Sequence, residues 1–309
     1  MSELRVLRLA TRGSVLALIQ SGWVAGLLER AAPGLRVEMV RVLPPGDQDK
    51  QTPLTVLGKG VFVKGVEELL LRGGADIAVH SLKDVPTDET PGLCLGAFPP
   101  SEDPRDAVIC RAGLDFDRLP IGATIGTGSP RRAAQLLALR ADLQIKPIRG
   151  NLDTRIRRLH EGHYDAVVVA VAGVARLDRR AELTRILEVD ECTPAVGQGA
   201  LGVQCRSGDA AVRDLLAAID DPACRARSLA ERELLRVIDG GCRIPAGAVA
   251  QIRGDTLDLV GVVASPDGRS LDRRRTTAPL ADPIAAGRAL AELLMPAANG
   301  LLAAGVARP

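Results

Sequence analysis

The sequence predicts an α/β protein of two lobes followed by a small α+β domain. Three observations carry that expectation. The chain has 309 residues, which at about 150 per domain suggests two domains, with one or three allowed. Strand and helix signals alternate through its first two thirds, as they do in open sheets flanked by helices. The last third changes to helices and then three apolar runs separated by turn residues, the pattern of a small antiparallel sheet.

Each element has its own local reason. Leu4 to Leu9 reads as a strand, and Val15, Leu16, Leu18, Ile19, Trp23, Leu27 and Leu28 follow at helical spacing. Leu35 to Leu43 is a strand stopped by Pro44-Pro45-Gly46. Val61 to Leu71 reads as a helix and Ala75 to Val79 as a buried strand. After Pro99-Pro100 a second series begins, with strands at Asp106 to Cys110 and Ala123 to Gly126. The next helix, Ser129 to Leu139, has Ser129 as N-cap and Pro130 in its first position. Leu143 to Ile148 is a strand, Asp153 to His160 a helix, and Ala166 to Val171 a buried strand. Asp209 to Ile219 and Ala223 to Ile238 read as helices. Strands at Ala246 to Ile252, Leu257 to Val263 and Arg269 to Thr276 are separated by Gly254-Asp255 and Pro266-Asp267-Gly268, and a last helix starts at Asp282-Pro283. Breaks fall near 99–104, 193–199 and 220.

Composition narrows the function. Hydrophobic residues are 46% and charged residues 25%, the balance of a folded chain with a sizeable core. A net charge of +2 makes no case for nucleic acid or an anionic membrane, and 2% aromatics leave few rings for stacking bases. The longest apolar run, Ala166 to Ala175, is too short to span a bilayer. The six cysteines form no C-x-x-C pair, the three histidines complete no zinc pattern, and Met1 to Arg5 has no signal-peptide core. The expectation is a reducing cytoplasm with free thiols and no metal.

The positive charge is almost all arginine: of 40 Lys and Arg, only Lys50, Lys59, Lys64, Lys83 and Lys146 are lysine. Arg12, Arg131, Arg132, Arg149, Arg155 and Arg176 lie at or near element ends, where open α/β sheets bind ligands. Guanidinium forks suit carboxylates. Thr11-Arg12-Gly13-Ser14 and Gly126-Thr127-Gly128-Ser129-Pro130-Arg131-Arg132 each lead from strand to helix, offering free N–H groups, a hydroxyl and a guanidinium. Two such turns in facing lobes suggest a cleft for a multiply anionic ligand. No G-x-x-x-x-G-K-[ST] or G-x-G-x-x-G accompanies them, which disfavours a nucleotide. His80-Ser81-Leu82-Lys83-Asp84-Val85-Pro86 follows a buried strand. Asp84 is either a turn residue or a carboxylate facing a developing cation or a proton in transit. His80 is either a base or a packed imidazole. Cys242 stands in Asp239-Gly240-Gly241-Cys242-Arg243, where two glycines permit close approach, and reads either as an ordinary loop thiol or as a reactive or modified one.

The chain resembles the hydroxymethylbilane synthase (porphobilinogen deaminase) family. The resemblance rests on Ala10 to Ser14, Gly58 to Phe62, Ala75 to Pro86, Glu102 to Asp106, Gly126 to Arg132, Arg149-Gly150-Asn151, Leu187 to Cys205 with its Pro194 to Gly199, and Gly240-Gly241-Cys242, in that order. It implies two periplasmic-binding-protein-like lobes with mixed sheets flanking a cleft, and a C-terminal α+β domain with a three-stranded antiparallel sheet. Residues 1–99 with 200–219 would form the lobe of the catalytic aspartate. Residues 100–199 would form the lobe of the anion-binding arginines, and residues 220–309 the cofactor-attachment domain.

It further implies a dipyrromethane cofactor thioether-linked to Cys242. On this primer four porphobilinogen molecules are joined head to tail with loss of ammonia, and hydroxymethylbilane is released by hydrolysis. Asp84 would be the catalytic residue. Arg12, Ser14, Lys83, Ser129, Arg131, Arg132, Arg149, Arg155 and Arg176 would bind pyrrole carboxylates, Lys59 would belong to a loop over the cleft, and Gln198 and Gly199 would line the hinge side. The implied enzyme is a cytoplasmic monomer that passes its product to uroporphyrinogen-III synthase. Leu43-Pro44-Pro45-Gly46-Asp47, Leu54 to Lys59, Gly128 and Pro130 depart from the family pattern. Two other classes compete: a solute-binding protein, which would leave Cys242 idle and calls for a signal or lipid anchor, and a phosphate-dependent enzyme, which lacks its loop.

Overall fold

A computed structural model of the protein describes residues 6–43, 60, 63–238 and 244–303. The chain divides into two compact units, residues 1–101 with 200–225 and residues 102–199 with 226–309.

The first unit is built on five strands, β1 (Val6–Arg12), β2 (Arg36–Val42), β3 (Ile77–Ser81), β4 (Leu93–Ala97) and β10 (Leu201–Arg206), in the order β2-β1-β3-β10-β4. β1 is parallel to β2 and β3, whereas β10 is antiparallel to β3 and β4. Strand alternation gives the sheet two apolar faces. Leu7, Leu9, Ile77 and Val79 pack with Val24 and Leu28 of the helix Val15–Ala31. On the other face Ala10 and Ala78 pack with Val66 and Leu70 of the helix Lys64–Leu71.

The second unit repeats the plan with β5 (Asp106–Cys110), β6 (Thr124–Gly126), β7 (Gln144–Lys146), β8 (Ala166–Ala170) and β9 (Arg185–Ile186), in the order β7-β6-β8-β5-β9. β6 is parallel to β7 and β8, and β5 is antiparallel to β8 and β9. The fourth strand of each sheet, β10 or β5, follows a passage of the chain from one unit to the other. The fold is therefore α/β with mixed sheets.

The second unit also holds the antiparallel sheet β11 (Ala246–Arg253), β12 (Thr256–Ala264) and β13 (Leu271–Pro279). Its core joins Ala248, Ala250, Leu257, Leu259 and Val263 to Leu290 and Leu294 of the helix Pro283–Ala303 and Leu234 and Ile238 of the helix Pro222–Ile238. Edge strand β13 carries Arg273, Arg274 and Arg275, and charge on an edge discourages further strand pairing. Arg273 reaches back to Thr193 Oγ1 and Gln135 Oε1, each at 3.0 Å. Glu231 is buried in the same unit and accepts from Gly197 N at 2.8 Å and Ala250 N at 2.9 Å. It thereby ties the segment before Gln198 to β11. Burial pushes its pKa up to about 7, against the two N–H donors.

Several bounds differ from those expected. β3 is Ile77–Ser81 and not Ala75 to Val79, so His80 and Ser81 lie in the sheet. Pairing of Leu201 with Ser81 and of Gly202 with His80 extends the strand, and that partner is 120 residues away in the chain. β8 stops at Ala170 and a helix, Val171–Arg176, begins at once, which places Arg176 on its last turn. Among the described residues no helix is long and apolar enough to cross a membrane, and no cluster of His, Cys, Asp or Glu could hold a metal.

Candidate active site

In the first unit β1 delivers Arg12 to a strand end, and Ser14 then caps the following helix by accepting from Ala17 N at 3.3 Å. Buried Thr11 fixes this turn, accepting from Ser21 Oγ at 2.7 Å. β3 runs into a 3₁₀ turn, Leu82–Asp84, closed by Val85 N donating to Leu82 O at 3.0 Å. Leu82 is buried with Phe98, Ala200 and Cys224, and its N–H donates to Ala200 O. With Leu82 anchored inward, Lys83 is exposed and Asp84 half-buried.

Arg12 Nη1 stands 3.8 Å from Asp84 Oδ2. The two groups share a pocket with Gln20, Val63, His80 and Ser81. Gln20 is buried and donates from Nε2 to Ser81 Oγ at 3.1 Å. His80 is buried too, with Nε2 3.1 Å from Gln204 Oε1. Burial pushes the His80 pKa down to about 4, helped by nearby Arg12, so the imidazole is neutral at pH 7 and a poor resting place for a proton. Sequence reading missed Gln20. Its signal was a polar residue on the apolar face of a helix.

In the second unit Thr127-Gly128-Ser129 turns β6 into the helix Pro130–Leu139. Ser129 Oγ caps Arg132 N at 3.4 Å, and Thr127 Oγ1 accepts from Ser129 N at 3.2 Å. Glycine at 128 has a local cause: a Cβ there would lie 2.9 Å from Ile148 O.

Arg131 and Arg132 do not extend from this turn into solvent. Both are buried on Asp106, itself 0% exposed. Arg131 Nη1 lies 2.8 Å from Asp106 Oδ2 and donates to Thr193 O at 2.6 Å. Arg132 donates from Nε and Nη2 to Asp106 Oδ1 and from Nη1 to Val168 O. Gln198 adds Nε2 to the same carboxylate oxygen at 2.8 Å and to Pro104 O at 2.7 Å. Burial alone would raise the Asp106 pKa, but the two guanidiniums hold it well below the usual carboxylate range. Cys192, also buried here, is pushed up to about 12. Asp106 closes the Glu102 to Asp106 motif, yet nothing local marks it as the acceptor for both arginines.

Arg149 and Arg155 lie elsewhere in this unit, at the entry to the helix Leu152–His160. Asn151 caps that helix through Thr154 N at 3.0 Å, and Arg155 Nε donates to Gly150 O at 2.9 Å. Both arginines are partly exposed. Arg176 Nη2 donates to Gly199 O at 2.7 Å. Gly199 has φ +89, and a Cβ there would lie 2.4 Å from Glu102 O, so glycine is required for both conformation and space. Lys59 and Cys242 lie outside the described residues.

A model of the "Porphobilinogen deaminase, dipyromethane cofactor binding domain" matches residues 7–214. The chain belongs to the porphobilinogen deaminase family. A second model, the C-terminal domain of the same deaminase, matches residues 225–295. A porphobilinogen deaminase of Roseiflexus castenholzii is 46% identical over 300 residues, covering 97% of this chain and 99% of that protein. One from Acidothermus cellulolyticus is 48% identical over 309 residues, covering 98% and 93%. Similar solved structures include the methionine-binding protein MetQ, at 11% identity and TM-score 0.45 over 70% of this chain and 91% of that one. The BenM effector-binding domain with benzoate is another, at 15% identity and TM-score 0.42 over 69% and 90%.

Family membership makes the chain a transferase of tetrapyrrole biosynthesis. It joins porphobilinogen units into hydroxymethylbilane with a dipyrromethane cofactor. The donor chemistry of the described residues suits such a ligand. Pyrroles bearing acetate and propionate call for guanidinium and N–H donors, the groups found at Arg12, Arg149, Arg155 and the helix starts at Ser129 and Asn151.

Proposed function

We propose that Asp84 is the catalytic carboxylate of this deaminase and that Cys242 carries its cofactor. The observation that supports the Asp84 assignment is its place at the end of β3, on an anchored turn, 3.8 Å from Arg12 in a polar pocket. When the aminomethyl carbon of porphobilinogen loses ammonia, positive charge develops on the pyrrole and its N–H becomes more acidic. A fixed carboxylate can accept from that N–H and stabilise the charge, and can assist a proton to the departing amine. Arg12 beside it orients the carboxylate. When bound, the cofactor supplies a covalently held primer.

Arg12, Ser14, Lys83, Ser129, Arg149, Arg155 and Arg176 are proposed to bind acetate and propionate groups, with Lys59 as an additional cation. Arg131 and Arg132 complete the set from beneath. Locked with Gln198 on Asp106, they hold the Ser129 turn at the strand end, while Arg176 does the same for Gly199. Residues 220–309 are proposed as the cofactor-attachment domain, a reading supported by the core that their sheet and helices share. A monomeric, cytoplasmic enzyme that hands its product to uroporphyrinogen-III synthase completes the reading.

The test is Asp84→Asn, with turnover, cofactor occupancy and melting temperature measured on the same samples. Turnover is expected to fall at least about a hundredfold in a folded, loaded protein. Near-normal turnover would reduce Asp84 to a turn residue.

A further inference from the structure

The first unit contains a polar chain, buried at His80 and Gln204 and half-buried at Glu67 and Thr90, that ends in the Asp84 pocket. Thr90 Oγ1 donates to Glu67 Oε2 at 3.0 Å, Gln204 Nε2 donates to Glu67 Oε1 at 2.8 Å, and Gln204 Oε1 meets His80 Nε2 at 3.1 Å. The polarity of this chain follows from chemistry. A carboxylate only accepts, so Gln204 must turn its NH₂ to Glu67 and its carbonyl to His80. Facing that carbonyl, Nε2 of His80 must carry a proton. A neutral imidazole has only one N–H, so Nδ1 is left as a bare acceptor. His80 is 6% exposed and lines the pocket with Arg12, Gln20, Ser81 and Asp84. Nδ1 has no partner among the described residues.

We infer that His80 is a substrate-positioning residue: its Nδ1 accepts a hydrogen bond from an N–H of the bound porphobilinogen unit, with the tautomer set by Gln204 and Glu67. This rests on the reading of the Asp84 pocket given above. Arg12 offers the pocket donors for a carboxylate, and Asp84 offers a charged acceptor. His80 adds a neutral acceptor that orients an N–H without taking its proton and without placing a second positive charge beside the developing cation. The relay behind it is what a merely packed imidazole would not need: Gln204 and Glu67 select which nitrogen carries the proton.

Two measurements test the inference. In the ¹⁵N-labelled holoenzyme, two-bond ¹H–¹⁵N spectra of its three histidines are expected to show His80 as the Nε2–H tautomer. An Nδ1–H tautomer overturns the proposal whether or not any variant folds. The second measurement compares two isosteres. His80→Asn sets an amide oxygen near the place of Nδ1, whereas His80→Gln reaches the place of Nε2 and restores the contact to Gln204. Turnover of His80→Asn is expected within about tenfold of the parent, with His80→Gln lower by a further factor of about ten, the upper size of a lost neutral hydrogen bond. A purely structural histidine predicts the reverse order, which overturns the inference. Asp84→Asn is run alongside. If it too turns over normally, the pocket assignment has failed; if it is crippled while the Asn and Gln order is reversed, only the role of His80 has.

Discussion

The proposed chemistry rests on two residues, Asp84 and Cys242. Asp84 sits on a turn whose neighbour Leu82 is 1% exposed, so the carboxylate is aimed by a hydrophobic anchor two residues away. Its position should therefore matter as well as its charge. Asp84→Glu, which keeps the charge and moves it by a methylene, is expected to retain more turnover than Asp84→Asn, read as kcat at matched cofactor occupancy. For Cys242, intact-protein mass spectrometry should show two linked pyrroles, and peptide mapping should place them on this residue. An active preparation with an unmodified Cys242 would remove it from the mechanism. Cys242→Ser should block thioether assembly and lower the melting temperature, because a group bound only by the folded state stabilises it.

At the scale of elements, the arginines separate into two kinds. Arg131 and Arg132 bind the helix Pro130–Leu139 to β5 through Asp106, buried at both ends. Asp106→Asn leaves two guanidiniums sharing a neutral amide, and breaking a buried ion pair this way costs about 3–5 kcal/mol. Chemical denaturation should show that loss, and a change well under 1 kcal/mol would mean the cluster carries little stability. Arg149 and Arg155 instead flank a capped and partly exposed helix start. Replacing either with leucine should stall chain growth at an early pyrrole count with little change in melting temperature. Quenched-reaction mass spectra would reveal which lengths accumulate, and an unchanged distribution would count against carboxylate binding there.

At the scale of the molecule, the two units should respond to pH in opposite directions. His80, in the first, titrates at about 4 when folded and near 6.5 when unfolded. Its contribution is fully present above about pH 6.5 and is lost as pH falls through about 4. Glu231, in the second, titrates at about 7 when folded and near 4.5 when unfolded. Its contribution is fully present below about pH 4.5 and is lost as pH rises through about 7. The depressed Asp76, Asp103 and Asp106 act below the ordinary aspartate range, outside this window. Between about pH 4.5 and 6.5, rising pH should thus increase hydrogen-exchange protection in β3 and decrease it in β11. Parallel changes in both strands would refute the assignment of these two groups.

Local chemistry by itself determined most elements of this protein. The helix at Pro130–Leu139 starts where Ser129-Pro130 says it must, because capping and a fixed proline φ act within a few residues. The antiparallel C-terminal sheet follows from its turns, and the motifs around Asp84, the arginines and Cys242 identify the family and its reaction. What the tertiary structure decided are the pairings between distant segments. β3 extends to Ser81 because β10 lies beside it, and the strand order of both mixed sheets depends on chain passages no local pattern encodes. Asp106 becomes the acceptor for Arg131, Arg132 and Gln198 only when β5 is folded beneath their turn. The tautomer of His80 depends on Gln204 and Glu67, which are brought to it from a strand and a helix far along the chain. Capping and turn preferences are short-range energies that a sequence displays directly, whereas burial and long-range hydrogen bonds exist only after the chain has closed.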